Sequence, residues 1–412
     1  MLSVKEAENI IFNLAKPLNL TDTETVDLFS ATGRILASSV TSQLDFPHWD
    51  NSAMDGYAVI YQDVREASEQ KPTVLNVVED IPAGYQPQST IQSGQAARIF
   101  TGAVMAKGAD TIVMQENTRR EDNKVFILKA AEPQAFVRHR ASYYQAGAEL
   151  LPAGIQLNAP EIAVLAAAQC TKLKVFRRPR VAILSTGNEL ITPEQTLQPG
   201  QIVDSNQYAL FSLIKQCGGE PLMLGIIKDE PEAIKAAISE AIAKADIVLS
   251  SGGVSVGDYD YVEKILESLG GEIKVRSVAM KPGKPLTVAS FSIPNPHSPI
   301  YFGLPGNPAS ALVSFWRFVE PVIKKCSSIV EGWQPKFIKA QTRQDLNSNG
   351  KRETYIWGKL DLVNGVNYFS AAGGSKSSGN LINLSRTNAL AVLEVGKKSV
   401  SAGEEVRVLR VY

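Results

Sequence analysis

The sequence predicts a multidomain protein in which a doubly wound α/β domain is joined to segments that are mostly β. Beyond Arg180, short apolar strands alternate with helices, the pattern of βαβ units that build a mostly parallel sheet. Residues 60–137 and the chain beyond Trp333 instead show short strands separated by turn residues. The chain has 412 residues, more than one hydrophobic core usually serves, so several domains are expected.

In the alternating region, β-branched apolar runs indicate buried strands, and capped amphipathic stretches indicate helices. Strands are expected at residues 181–185, 221–227, 245–249, 275–279, 287–291 and 300–304. Helices are expected at residues 204–217, 231–244, 258–269 and 309–325. Pro231 suits the first turn of its helix, and Gly218 and Gly219 end the preceding one.

The flanking regions divide into a small N-terminal part and two β-rich parts. Residues 3–14 predict an amphipathic helix, because Ser3 and Glu6 have capping-box spacing. A second helical or mixed segment is expected up to Gln43, and an apolar helix at 161–168. Strands are expected at residues 73–78, 96–100, 111–115, 124–130, 336–341, 354–362, 389–395 and 405–411.

Composition excludes several classes of function. Lys and Arg together number 42, as do Asp and Glu, which argues against a broad nucleic-acid or membrane-surface binder. The longest apolar stretch, residues 162–168, is far below the roughly 18 residues of a membrane span. Three scattered cysteines form no CxxC pair, and the N-terminus has no signal-peptide character, so a reducing cytoplasm is expected. No two of the three histidines have ligand spacing, which disfavours a zinc site.

The most unusual stretch is residues 250–261, SSGGVSVGDYDY, which follows a predicted strand and opens a predicted helix. Three glycines within six residues let the backbone approach an anion closely, and free N–H groups at a helix start favour negative charge. Asp258 and Asp260 at the mouth of such a cradle suggest a divalent metal or acid–base chemistry. A βα turn whose aspartates cap the helix remains the alternative.

Four turns follow strands of the predicted sheet and are expected at one edge, where ligands of open α/β sheets bind. These turns are residues 186–189, 251–260, 281–284 and 305–308. Together they supply glycine turns, Lys281 and Lys284, and the carboxylates of Glu189, Asp258 and Asp260. Lysines and turn amides suit phosphate oxygens, and carboxylates suit Mg²⁺ that bridges phosphate and protein.

Other stretches leave two interpretations open. Residues 50–59, DNSAMDGYAV, form either a loop entering a β domain or a loop that presents Asp55 to a ligand. Thr101 is either a turn residue or an oxyanion donor. The basic trio at residues 138–140 is either a solvated face or part of a site, and residues 371–379, AAGGSKSSG, are either a mobile linker or an anion-contacting loop.

Six stretches, DNSAMDGYAV, RIFTGA, STGNEL, SSGGVSVGDYDY, KPGKP and GLPGNP, occur in this order. Together they closely resemble the molybdopterin molybdenumtransferases, the family of the bacterial MoeA proteins and the gephyrin E-domain. The resemblance covers nearly the whole chain. The α/β module alone also resembles the molybdopterin adenylyltransferases (MogA) and the competence-damage-type proteins, whereas DNSAMDGYAV and the C-terminal β domain are typical of the molybdenumtransferases.

The resemblance implies a homodimer of elongated, four-domain subunits. These domains would be a split N-terminal domain (1–43 and 138–175), an inserted β-rich domain (44–137), a MogA-like α/β domain (176–332) and a β-barrel-like C-terminal domain (333–412). The active cleft would lie between the α/β domain of one subunit and the inserted domain of the other. The implied reaction inserts molybdate into adenylylated molybdopterin and releases AMP with the help of Mg²⁺. Implied partners are the molybdopterin adenylyltransferase and acceptor molybdoenzymes, with no nucleic acid and no membrane.

The resemblance also implies roles for single residues. Asp55, Thr101, Glu189, Asp246 and Asp260 would be catalytic, and Asp260 and Glu189 would also hold the metal. The implied substrate-binding residues are Ser251, Gly252, Gly253, Ser255, Lys281, Lys284, Pro305, Pro308, Arg352 and Ser378.

The chain departs from the family pattern at two positions. Tyr143 stands where the family usually has an aspartate, and a phenol with a pKa near 10 does not replace a carboxylate as a base or as a metal ligand. Trp357 stands where an arginine is common. Three hypotheses follow: an active molybdenum insertase, a weakened paralogue that binds molybdopterin or scaffolds a partner enzyme, and a nucleotide-transferring enzyme that makes the adenylylated intermediate from MgATP.

Overall fold

The structure, a computed structural model, describes residues 1–252, 259–292, 298–373 and 379–411, without the side chains of Tyr259 and Asp260. The chain divides into two compact units. Unit 1 comprises residues 1–38, 153–159 and 172–412, and unit 2 comprises residues 39–152 and 160–171. Among the helices of the described ranges, none has both the length and the apolar character that crossing a bilayer requires.

Unit 1 contains a six-stranded sheet whose strands we number in chain order. They are β1 (Arg180–Thr186), β2 (Glu220–Ile227), β3 (Ile247–Ser251), β4 (Gly271–Ser277), β5 (Pro285–Phe291) and β6 (Ile300–Leu304). Their order across the sheet is β2-β1-β3-β6-β5-β4. The pairings among β2, β1, β3 and β6 are parallel, whereas β5 runs antiparallel to both of its neighbours. The predicted mostly parallel sheet is therefore confirmed.

Helices cover both faces of this sheet, as the doubly wound class requires. Alternate residues of β1 point to opposite sides, so Val181 and Ile183 join one apolar cluster while Ala182 and Leu184 join another. The first cluster includes α1 (Asn206–Gln216), α4 (Pro308–Ser314) and α5 (Glu320–Cys326). The second includes α2 (Pro231–Lys244) and α3 (Tyr259–Ser268). A π-helical turn, Phe315–Val319, joins α4 to α5 within the predicted helix 309–325.

The N-terminal helix of unit 1, Val4–Leu14, begins with the predicted capping box. The Ser3 hydroxyl accepts from the Glu6 N–H at 3.2 Å, and the Glu6 carboxylate accepts from the Ser3 N–H at 2.8 Å. The segment up to Gln43, expected to be helical or mixed, contains no helix after Leu14. Thr23–Asp27 is instead a strand that pairs antiparallel with Lys172–Phe176, because a long-range partner satisfies its backbone and its β-branched residues favour a strand.

The C-terminal part of unit 1 is a closed five-stranded barrel. Its strands are Phe337–Thr342, Glu353–Val363, Val366–Ala371, Ala389–Leu393 and Glu405–Arg410, and each pairs with two others in a ring. A short strand of the α/β region, Met280–Lys281, pairs in parallel with Glu353–Thr354 and so attaches to the barrel. The remaining short elements are Leu190–Ile191 with Ile202–Val203, Leu346–Asn347 with Ser399–Val400, and the 3₁₀ turn Ile382–Leu384.

Unit 2 is built on its own six-stranded sheet. In spatial order its strands are Thr111–Met114, Gly56–Val59, Gln95–Ile99, Thr73–Ile81, Lys124–Ile127 and Thr118–Glu121. Gly56 is required at its position, because a Cβ there would lie 2.1 Å from the Val113 carbonyl oxygen. Smaller elements are the strand pairs Asn51–Ser52 with Val137–Arg138 and Val40–Thr41 with Glu149–Leu151, the helix Tyr61–Val64 and the 3₁₀ turn Gln115–Asn117. Helix Ala159–Ala167 also belongs to unit 2, except for its first residue, which is assigned to unit 1.

Candidate active site

A cavity of about 780 Å³ lies in unit 1 at the carboxyl ends of the parallel strands. Thr186 ends β1, Ser251 ends β3, and Pro305 directly follows β6, and all three line the cavity. Asp229, two residues beyond β2, lines it as well. This edge is where the geometry of an open α/β sheet leaves a crevice for ligands.

Glycines bring two of the strand ends together at the cavity floor. Gly252 has φ +94°, and a Cβ there would lie 2.3 Å from the Thr186 carbonyl oxygen. A Cβ on Gly306 would lie 3.6 Å from the Gly252 Cα, so the turns after β3 and β6 approach each other through their backbones. Only glycine satisfies both the backbone angle and the close approach at position 252.

Asn206 joins these turns through its side chain. Its Nδ2 donates to Ser251 Oγ at 2.7 Å and to the Gly306 carbonyl oxygen at 2.8 Å. Asp204 positions the start of helix α1 by accepting from the N–H groups of Asn206 and Gln207, at 3.1 and 3.3 Å. The buried Asn206 Oδ1 and Thr186 Oγ1 have no hydrogen-bond partner among the described residues, which leaves two polar atoms for a ligand or water.

Two exposed carboxylates, Glu189 and Asp229, stand at the rim of the same cavity. The Glu189 carboxylate lies against Gly187, where a Cβ would be 2.8 Å from Glu189 Oε2. Asn188 accepts the Asp229 backbone N–H at 3.2 Å and so connects the turns after β1 and β2. The rim therefore offers acidic oxygens beside the glycine turns.

A second cavity of about 310 Å³ lies next to the first and shares Pro285 with it. Its lining includes three cations, Lys281, Lys284 and Arg352, together with the buried Trp357. Arg352 Nη1 donates to the Met280 carbonyl oxygen at 3.2 Å, which ties the barrel strand to the lysine turn. This second cavity has the charge of an oxyanion site.

Asp246 does not belong to either cavity. It directly precedes β3, at the amino end of the sheet, and it is 9% exposed. Its carboxylate accepts both Arg177 guanidinium donors at 2.7 Å and the Arg180 backbone N–H at 2.7 Å. This bidentate contact raises the pKa of Arg177. The structure thus places Asp246, for which the resemblance implies a catalytic role, away from both cavities and in a buried contact with Arg177.

In unit 2, Asp55 and Thr101 lie together. Asp55 Oδ1 accepts from the Thr101 backbone N–H and from its hydroxyl, both at 2.7 Å. These two hydrogen bonds lower the pKa of Asp55, the backbone one more strongly, and Arg98 adds a smaller effect. The sequence placed both residues in one functional set, and the structure joins them directly.

Tyr143 also lies in unit 2 and is 60% exposed. Its ring centroid is 5.7 Å from that of Phe46, which also stacks on Tyr144 at 5.6 Å. The neighbouring basic residues are held by carboxylates: Asp50 accepts from the Arg140 backbone N–H at 2.7 Å, and Asp45 accepts from Arg140 Nε at 2.6 Å. The trio at 138–140 is therefore partly neutralised.

Several expected site residues lie outside the described residues. They are Gly253, Ser255, Asp258, Ser378 and the side chain of Asp260. Gly379, just beyond Ser378, is described and lines the larger cavity together with Leu381.

Sequence reasoning missed four polar residues of the larger cavity, namely Asp204, Ser205, Asn206 and Asp229. Asp229 follows β2 as Glu189 follows β1. The rule that ligands bind beyond the carboxyl ends of strands, which selected the other turns, could therefore have predicted Asp229 as well. Asn206 gave no local signal, since its partners Ser251 and Gly306 are distant in sequence.

The described residues contain no group of three His, Cys, Asp or Glu side chains placed to hold a metal ion. The larger cavity nevertheless offers oxygen donors: the carboxylates of Glu189 and Asp229, and the Thr186 hydroxyl, which has no hydrogen-bond partner in the described part of the chain. Such a set fits Mg²⁺, which keeps few protein ligands and shares its shell with phosphate oxygens and water.

Fold and site together define a multidomain α/β protein with two adjoining polar cavities in the α/β region, one of them lined by three cations. Three family profiles match the chain: the MoeA N-terminal region (domain I and II) at residues 2–168, a probable molybdopterin binding domain at 182–325, and the MoeA C-terminal region (domain IV) at 339–411. The chain belongs to the MoeA family of molybdopterin molybdenumtransferases.

Individual relatives agree over the full length. A molybdopterin molybdenumtransferase from Nostoc sp. is 64% identical over 411 residues, which cover 100% of this chain and 94% of that protein. The one from Haemophilus influenzae is 33% identical, with 94% of each chain covered. The crystal structure of the molybdopterin biosynthesis MoeA protein from Pyrococcus horikoshii superposes with a TM-score of 0.83 at 28% identity, with 100% of both chains covered.

Proposed function

We propose that this chain is a molybdopterin molybdenumtransferase in molybdenum cofactor biosynthesis. It inserts molybdate into adenylylated molybdopterin, and the hydrolysed adenylyl phosphate bond releases AMP. The full-length similarity to transferases of that name supports the activity. The pair of adjoining cavities carries the proposal on the structural side, because one reaction with two anionic substrates needs two neighbouring anion sites.

In this proposal the larger cavity takes the pterin and its adenylyl phosphate. The turn at Ser251 and Gly252 approaches the phosphate through its backbone, and Asn206 holds that turn against Gly306. Pro305 and Pro308 shape the opposite wall. Glu189 and Asp229 orient a water molecule at the phosphate and accept the proton of that water as the phosphoanhydride bond breaks and AMP leaves.

The smaller cavity takes molybdate. Lys281, Lys284 and Arg352 surround it with positive charge, and Arg352 adds planar donors that match oxyanion edges. Trp357 forms an apolar wall that limits access of water. Ser378, from the same region of the chain as Gly379, completes the proposed set.

Mg²⁺ is the proposed metal. Glu189 would hold it from the rim of the larger cavity, and Asp260 is its second proposed ligand. When bound there, Mg²⁺ would neutralise the charge that develops on the phosphate oxygens. Removal of Mg²⁺ by a chelator should therefore abolish AMP release, and added Mg²⁺ should restore it.

We further propose that the protein works as a cytoplasmic homodimer, in which Asp55 and Thr101 of one subunit complete the site of the other. The three cysteines are all free thiols, which suits a reducing compartment. The molybdopterin adenylyltransferase would deliver the substrate, and acceptor molybdoenzymes would receive the product.

The alternative of a weakened paralogue is not favoured, because the 64% identical relative is itself a molybdopterin molybdenumtransferase. The nucleotide-transferring alternative accounts for the α/β domain alone and leaves the matches to the MoeA N-terminal and C-terminal regions unexplained.

The test is release of AMP from adenylylated molybdopterin, with and without molybdate and Mg²⁺. We expect release that depends on both and consumes no ATP. A rate no higher than the uncatalysed reaction would refute the proposal. The Tyr143→Asp variant distinguishes the insertase hypothesis from the weakened-paralogue hypothesis. If the parent protein already releases AMP rapidly, the restored carboxylate should not increase the rate.

A further inference from the structure

A third cavity, of about 400 Å³, opens in unit 1 near the amino end of the α/β sheet. It is bounded by the chain before β1, the end of helix α1 and the segment after α5. Five cationic side chains line it, against a single carboxylate, Glu331: Arg34, Arg177, Arg178, Lys324 and Lys336. It is separate from the two cavities described above, with which it shares no lining residue.

Three of these cations already have carboxylate partners. Arg34 forms an ion pair with Glu24, Arg177 with both Asp22 and Asp246, and Lys324 with Glu320. None of these carboxylates lines the cavity, so the partners stand behind the cations rather than in the open space. The pairs fix the cavity wall and leave its surface positive.

Arg178 and Lys336 differ from the other three, because neither has an ion-pair partner among the described residues. Among the described residues, the one acceptor for Arg178 Nη1 is the Gly218 carbonyl oxygen, at 3.3 Å. Burial lowers the pKa of Arg178, and the positive charge of Arg34 lowers it further, while Glu24 and Glu220 oppose this more weakly. A guanidinium held half-buried beside another cation is stabilised by an anion that enters the cavity.

We propose that this cavity binds a small phosphate-type polyanion, a pyrophosphate or a phosphate monoester, with Arg178 and Lys336 as its principal contacts. Arg178 supplies planar paired donors that match phosphate edges, and Lys336 supplies a point charge at the open side. The amides of Gln156 and Gln216 offer further donors on the same wall. The site is independent of the proposed catalytic function, because its contacts lie at the other end of the sheet.

Calorimetric titration with inorganic pyrophosphate at low ionic strength tests this site. The full-length chain carrying Lys281→Gln and Lys284→Gln is the starting protein, since it weakens the molybdate cavity as a competing anion site. We expect saturable binding that salt weakens, and only the part that comes from this cavity should respond to substitution of Arg178 or Lys336. Adding Arg178→Gln or Lys336→Gln should weaken pyrophosphate binding at least about tenfold.

Arg180→Gln is the matched control. Arg180 lies two residues further on, is exposed, and pairs with Glu220 at 3.8 Å outside the cavity. Its substitution should leave pyrophosphate affinity unchanged, and the affinity of Arg178→Lys should fall between those of the starting protein and Arg178→Gln. Absence of saturable binding would overturn the proposal, and so would an equal loss in Arg180→Gln. The exposed Lys336→Gln variant keeps the test valid even if Arg178→Gln unfolds.

Discussion

The two ends of the α/β sheet use acidic residues in opposite ways. At the amino end, Asp246 is buried and its carboxylate is fully engaged by Arg177 and the Arg180 backbone. At the carboxyl end, Glu189 and Asp229 stand exposed at a cavity rim, beside a Thr186 hydroxyl without a partner among the described residues. The difference shows that the role of a carboxylate next to a strand depends on whether it lies at the amino or the carboxyl end of that strand. A buried, paired carboxylate serves the fold, and an exposed carboxylate at a cavity rim can serve chemistry.

The largest effects are expected at the carboxyl end. Glu189→Gln and Asp229→Asn should each lower kcat for AMP release about 100-fold or more, because each removes a carboxylate that orients water or accepts a proton. The unfolding temperature should stay unchanged, since both side chains are exposed.

Glu230→Gln provides the control for these variants. Glu230 is the exposed neighbour of Asp229 and does not line the cavity. An equal loss of kcat in Glu230→Gln would show that general surface charge, rather than the cavity rim, governs the rate.

At the amino end, Asp246→Ala should cost about 3 kcal/mol of unfolding free energy, because it leaves a buried arginine without its bidentate partner. Urea denaturation measures the loss, and the folded fraction should keep its normal kcat. Glu220→Gln, which breaks the exposed pair with Arg180, should cost at most about 1 kcal/mol. A large loss of kcat in folded Asp246→Ala would return this residue to the catalytic set.

The smaller cavity, in which we propose that molybdate binds, should show an effect on KM. Arg352→Gln is expected to raise the KM for molybdate about tenfold, the scale of one charged hydrogen bond, with little change in the KM for the adenylylated substrate. Steady-state kinetics with each substrate varied in turn separates the two. Lys351→Gln, an exposed neighbour outside the cavity, should change neither value.

Asp55 offers a third setting for a carboxylate, exposed to solvent yet hydrogen-bonded, and the smallest effect is expected there. The pKa of Asp55 in the folded protein is below the ordinary 3.8. Its hydrogen bonds therefore stabilise the folded state above pH 3.8, and this stabilisation is lost as the pH falls through the pKa that Asp55 has in the folded protein. Thr101→Val removes the hydroxyl but keeps the stronger backbone N–H, so the pKa of Asp55 should rise only part of the way. Carboxyl NMR titration measures it, and an unchanged pKa would show that the hydroxyl contributes nothing.

Local patterns predicted most of the α/β domain. Helix Pro231–Lys244 and strand Ile300–Leu304 match their predicted bounds, because a proline start and a short apolar run are strong local signals. The segment up to Gln43 was misjudged, because its strand Thr23–Asp27 exists only by pairing with Lys172–Phe176, far along the chain. The π-helical turn Phe315–Val319 was also not predicted, because the spacing of apolar residues there is that of an ordinary helix.

The site was predictable where strand direction determined it. Turns that follow β1, β3 and β6 do meet in one cavity, since parallel strands end at one edge. The same rule should have included Asp229 and excluded Asp246, which precedes its strand. The contacts of Asn206 with Ser251 and Gly306 depend on tertiary packing, and no local pattern encodes them.

Because Met280–Lys281 pairs in parallel with Glu353–Thr354, the α/β region cannot be separated from the barrel without loss of backbone hydrogen bonds. The lysine turn belongs to the α/β region by sequence, but its backbone partner and its neighbouring arginine belong to the barrel. A truncated α/β module would keep its glycine turns and lose one wall of the smaller cavity. Engineering that transplants this module alone should therefore transfer the capacity to hold a pterin phosphate without the capacity to select a metal oxyanion.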